Sequence, residues 1–114
     1  MLNKIFRKKY FILSVFDRII LLEILNRIKL DFIVEKVIND IKEQLSFSDK
    51  ELFLLDIQSK NGEVIWKTEE EKDKKIYLGG TGLKIIKDCL TELKNNDMFS
   101  EEHMSLYNKF NCEE

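Results

Sequence analysis

The chain has no proline among its 114 residues, and only two cysteines, four glycines, one histidine and one tryptophan. Each scarcity narrows the range of functions. Cys89 and Cys112 are too few and too far apart for a disulfide framework or a zinc-ligand set. A reducing cytoplasm fits that usage. His103 stands alone, so no local pattern supports a nucleophile–histidine pair. Long apolar runs are missing as well. In MLNKIFRKKYFILSVF the stretch Tyr10 to Phe16 is followed at once by Asp17 and Arg18, without a small-residue cleavage site. A membrane-crossing helix needs about 18–20 apolar residues. Neither a secretory leader nor a membrane span is expected, and the expected location is cytoplasmic.

What is present describes one small globular domain: 44% hydrophobic and 35% charged residues. The net charge of −2 conceals a polarity. Residues 1–30 hold seven Lys/Arg against two Asp/Glu, a balance of +5, whereas residues 31–114 hold twelve against nineteen, a balance of −7. A basic head therefore precedes an acidic body. Residues 1–13 read as a basic N-terminal arm, 14–110 as a single α+β domain and 111–114 as an acidic frayed tail.

Periodicity assigns most of the domain to helix. In LDFIVEKVINDIKEQL, Leu30, Ile33, Val34, Val37, Ile38, Ile41 and Leu45 share one stripe, with Asp31 as the expected N-cap. SVFDRIILLEILN opens with a capping-box variant, Ser14-x-x-Asp17, and is apolar nearly all round. Such a helix must be buried on every side, either at the centre of the domain or completed by a second chain. Phe16, Ile20 and Ile24 are its candidate interface residues. Ser48-x-x-Glu51 announces a short helix from Asp49. In IQSKNGEVIWK, Asn61-Gly62 between alternating apolar positions is a strong hairpin signal, and Ile57, Val64 and Trp66 would share its apolar face. Trp66 joins the candidate interface. KIYL reads as a third strand, GLKIIKDCLTELK as an amphipathic helix, and SEEHMSLYNKF as a closing helix capped by Ser100 and docked through Leu106, Tyr107 and Phe110. The expected architecture is α+β, mostly helical with four or five helices, plus a small antiparallel hairpin or three-stranded sheet.

The glycine turn in KIYLGGTGLKIIK occupies the strand-to-helix position of a phosphate loop. It lacks the Lys-Ser/Thr of a Walker A motif, because Leu83 follows Gly82, and Ile85 stands where the third glycine of a dinucleotide fingerprint belongs. Gly79-Gly80 turning the chain, with Thr81 capping the helix, accounts for the pattern. No cofactor or metal is expected, and no catalytic residue. Cys89 falls on an apolar helix face, and Cys112 falls in the tail. His103 reads as a solvated surface residue. Lys4, Arg7, Lys8 and Lys9, interleaved with Phe6, Tyr10 and Phe11, could contact phosphates or an anionic surface, but four charges opposed by an acidic body give weak binding.

Taken in order, FDRIILLEIL, LSFSDKEL, IQSKNGEVIWK and LTELKNNDMFSEEHMSLYNKF resemble a group of small phage- and prophage-encoded proteins of AT-rich bacteria. The resemblance spans roughly Ser14 to Phe110 and rests on capping and packing signals. It implies a setting, a mobile element in a bacterial host, and transfers no activity to any residue. The resulting expectation is a non-enzymatic protein-interaction module. Its partner would be a host protein, regulated or inhibited in the manner of a counter-defence protein such as an anti-CRISPR, or a second copy in a homodimer. The alternative is a nucleic-acid-associated accessory protein using the basic arm.

Overall fold

The computed structural model describes residues 9–28 and 32–112, with Phe32 and Ile33 described by backbone alone. Among these, the chain runs β1 (Lys9–Leu13), α1 (Val15–Asn26), α2 (Phe32–Leu45), α3 (Asp49–Leu55), β2 (Gln58–Lys60), β3 (Glu63–Ile65), β4 (Lys74–Leu78), α4 (Gly80–Asn95) and α5 (Met104–Lys109). Single 3-10 turns at Thr68–Glu70 and Glu101–His103 complete the path. The α+β, mostly helical architecture is as the periodicity indicates.

Local signals set the helix starts. The Ser14 hydroxyl accepts the Asp17 amide while the Asp17 carboxylate accepts the Ser14 amide, closing the first box. Ser48 and Glu51 close the second in the same way. The Asp31 cap lies outside the described residues. With no proline and little glycine, helix ends rely on another device. Asp56, Asp97 and Asn111, just beyond α3, α4 and α5, sit at φ of 49°, 58° and 53°. Asn and Asp bear left-handed backbone better than other side chains.

The sheet departs from expectation. β4 does not join the hairpin; it pairs antiparallel with β1, Phe11 opposite Ile76 and Tyr10 opposite Tyr77. The expected arm over 1–13 is thus partly a strand of the fold, because Phe11 and Leu13 carry apolar side chains that β4 and the helices cover. Residues 1–8, the rest of that arm, lie outside the described residues. β2 and β3 form a separate two-stranded sheet whose Asn61 and Gly62 take φ of 52° and 80°, the left-handed pair of a type I′ turn. All six of its strand residues are exposed, so the apolar face expected of the hairpin does not enter the core. Three residues per strand bury too little to hold it there.

Two further corrections concern the glycines and the tail. The N-cap of α4 is Gly79, not Thr81, and no side chain caps it. Gly82 matters for packing instead. A Cβ there would come within 3.0 Å of the Ile41 side chain, so its bareness lets α4 approach α2. At the C-terminal end, the Cys112 amide donates to Tyr107 O and its thiol is buried, so the chain is folded up to that residue.

The core collects Leu13, Ile20, Leu21, Leu25, Ile38, Ile41, Leu45, Ile76, Leu78, Ile86, Leu90, Leu106 and Phe110. α1 runs through its middle, touching β1, α2 and α5. Its own chain buries Val15, Ile20, Leu21 and Leu25, while Ile19, Leu22 and Ile24 stay half-buried and Phe16 exposed.

Candidate interaction site

Two adjacent buried charges on α1 organise the molecule. The fully buried Arg18 guanidinium donates to Leu45 O at 3.1 Å, Ser46 O at 2.7 Å and both carboxylate oxygens of Glu51 at 2.6 and 3.3 Å, over the Phe47 ring at 3.9 Å. It thereby closes the C-terminal end of α2, where free carbonyls favour a cation, and grips the capping glutamate of α3. Asp17 faces another way and accepts from Lys109 Nζ at 2.6 Å, tying α1 to α5 across 92 residues of sequence. Burial alone would push the Asp17 carboxyl up, but bonds from Lys109, the Ser14 amide and Ser105 hold it below the usual carboxylate range. Glu51 is lowered to about 2, chiefly by its bond from Arg18. In sequence the Asp17-Arg18 pair only interrupts an apolar run. Nothing local marks the two as buried, because their partners are remote.

The four candidate interface residues separate. Phe16 and Trp66 meet, with ring centroids 6.3 Å apart and planes at 32°. Phe16 is 39% exposed, and Trp66 is half-buried with its indole N–H on Glu71 at 2.9 Å. Ile20, by contrast, is only 4% exposed and belongs to the core. It is corrected from interface to interior. Ile24 is half-buried against the core and lines a groove of about 590 Å³ between α1, α4 and the Glu101–His103 turn.

That groove holds Glu23, Arg27, Cys89, Glu92, Ser100 and His103 at its walls. His103 is half-buried, and its Nδ1 accepts the Ser100 amide at 3.0 Å. A neutral ring then carries its proton on Nε2. It is a capping residue for the last turn more than the free surface histidine the sequence led one to expect. Cys89, only half-buried rather than enclosed, has its thiol pushed up to about 11 by burial and by Glu92 and Asp88. The thiol form is thereby favoured over the reactive thiolate. Cys112 is likewise raised, by burial, against the opposing pull of Lys87.

Sequence reasoning missed the most exposed aromatic side chain among the described residues. On α3, Glu51 and Leu55 face the body, which turns Phe53 outward; it is 83% exposed, and its neighbour Leu52 is exposed too. Val64 and Ile65 of β3, the strand that leads into Trp66, are also exposed large hydrophobics. Of the basic residues, Lys9 opens β1 and is exposed, while Lys4, Arg7 and Lys8 lie outside the described residues. Among the described residues no group of three or more His, Cys, Asp or Glu could hold a metal ion, and no helix is long and apolar enough to cross a membrane. Compared with models of known protein families, with curated proteins and with solved structures, the chain matches none of them.

Proposed function

We propose that this chain is a protein-binding module whose contact surface centres on Phe16 and Trp66, with the apolar residues of α3 and β3 as further contacts. The observation that carries the reading is the half-exposed Phe16–Trp66 pair. Aromatic side chains held rigid at a surface are the residue types that dominate protein–protein binding energy. Trp66 is pinned by its bond to Glu71, so little side-chain freedom is lost on binding. Phe53 and Leu52 add apolar area that an isolated domain gains nothing by exposing. In the setting implied by the resemblance to phage-encoded proteins, the partner is a host protein that the module regulates or inhibits.

The test is affinity capture from bacterial lysate with the native chain and with Phe16→Glu and Phe53→Glu variants that retain the native circular dichroism spectrum. A captured protein that both variants lose supports the reading. Identical capture by all three forms would overturn it.

A nucleic-acid role has one observation in its favour: Tyr10, Tyr77 and Lys75 lie together on the open face of the β1–β4 sheet. Salt-dependent binding of polyuridylate, abolished by Tyr10→Ala with Tyr77→Ala, would promote it.

A further inference from the structure

The β1–β4 sheet has two edges, and they are treated differently. On the β4 edge, the Tyr77 amide donates to Gln44 Oε1 at 2.8 Å and the Gln44 amide donates to Tyr77 O at 2.8 Å. The side chain of Gln44 thus imitates a neighbouring strand and caps that edge at Tyr77. This also fixes the phase of the ladder. Since Tyr77 directs its backbone groups outward, the opposed pair Tyr10–Tyr77 is a non-hydrogen-bonded one, and Tyr10 and Ile12 must direct theirs away from β4 as well. No hydrogen bond among the described residues receives them. Their side chains, 56% and 47% exposed, stand on the open face beside Tyr77. Among the described residues, one edge is capped at Tyr77 by a dedicated side chain, while the other is a bare backbone ladder beneath an apolar row.

We infer that the β1 edge is a strand-addition site for an extended acidic peptide segment of a partner protein. The charge of the sheet selects this occupant. The two strands, KYFIL and KKIYL, hold three lysines and no carboxylate, in a chain with 21 acidic residues; Lys74 is bound to Gln44 O at 2.6 Å, which leaves Lys9 and Lys75 as the exposed charges. A second copy would add three more lysines to the same sheet, and like charges across neighbouring strands are destabilising. Single-stranded nucleic acid offers no donor–acceptor ladder to match Tyr10 and Ile12, and the Lys75 ammonium already covers one face of the Tyr10 ring at 4.5 Å.

An antiparallel peptide would exchange paired backbone bonds with Ile12 and Tyr10, and its residues opposite these two would point to the open face. The next residue would stand opposite Lys9. From N- to C-terminus, the favoured segment is apolar, any, apolar, acidic. This site rests on the protein-binding reading but uses none of the residues of the Phe16–Trp66 surface.

The experiment is fluorescence anisotropy with a fluorescein-labelled octapeptide, TVTVEDEE, on the full chain. Saturable binding that weakens with salt is expected. It should fall by at least about tenfold when the second valine of the peptide is N-methylated, and equally in Ile12→Pro, which removes an outward amide the fold does not use. Phe16→Ala and Trp66→Ala should leave it unchanged, which separates failure of this site from failure of the first. No saturable binding, equal binding of TVTVKRKK, or indifference to N-methylation would overturn the proposal, and the last holds even if Ile12→Pro misfolds. A concentration-dependent dimer that TVTVEDEE does not disperse, or displacement of TVTVEDEE by polyuridylate, would overturn it in favour of a second copy or a nucleic acid.

Discussion

Arg18 is the side chain on which the most structure depends. Truncating it to methionine leaves Leu45 O and Ser46 O without their donor and Glu51 without its cation. Breaking a buried ion pair from one side costs about 3–5 kcal/mol. Urea unfolding of Arg18→Met should show a loss of that size; one below about 1 kcal/mol would mean that water replaces the guanidinium at no penalty. The Glu51 end of the pair predicts a pH dependence. Its folded-state pKa, about 2, lies below the ordinary 4.5, so the stability it contributes is present above pH 4.5. That contribution is lost as pH falls from 4.5 through 2. In Glu51→Gln the unfolding midpoint should vary less over that window than in the native chain. The two cysteines make a further expectation. With both thiols raised above their ordinary value, reaction with a disulfide reagent at pH 7.5 should be slow in the folded protein. It should become fast for both in denaturant.

Two helices here, α1 and α3, begin with a side-chain capping box, and α3, α4 and α5 are followed by Asp or Asn in left-handed backbone, a solution for a chain with little glycine and no proline. Asp56→Val, at φ 49°, should cost about 1–2 kcal/mol, whereas Asp56→Gly should be neutral or mildly stabilising. Equal losses for both would mean that the carboxylate, not the backbone, is what that position needs. The α2–α4 contact gives the companion test. Gly82→Val sets a branched side chain against Ile41 and should destabilise by about 1–3 kcal/mol. The hairpin behaves otherwise, since β2 and β3 are exposed throughout. Trp66, half-buried and outside the main core cluster, should on truncation to alanine cost roughly 1–2 kcal/mol, below the 3–5 typical of a core aromatic.

The molecule as a whole is tied together from its ends. β1 supplies the only strand partner of β4 among the described residues, and Lys109 near the other end reaches Asp17 just after β1. The Phe11 and Phe110 rings meet at 4.7 Å with their planes tilted by 49°, joining the same two regions. A chain beginning at Ser14 removes Phe11, Leu13 and the pairing of β4 together. It should lose its near-ultraviolet circular dichroism and cooperative unfolding. If that truncated chain remains cooperative, β1 is an accessory to the fold and not a part of it.

What could be read from the amino acids alone was whatever depends on neighbours a few positions apart. The boxes at Ser14 and Ser48, the amphipathic stripe of α4, that of α2 from Val34 to Leu45 (Leu30 and the Ile33 side chain lie outside the described residues), and the Asn61-Gly62 turn are all encoded within a turn or two of chain, and all appear where they were expected. Contacts between distant residues carry no such local mark. That KYFIL pairs with KKIYL rather than trailing as an arm, that Arg18 is a buried clamp, that Gly82 is a helix contact, and that Ile20 lies inside while Phe16 meets Trp66 at the surface all follow from packing. Burial is a property of the whole arrangement: an isoleucine stripe or an arginine has the same local signature whether its partner lies thirty residues away or does not exist.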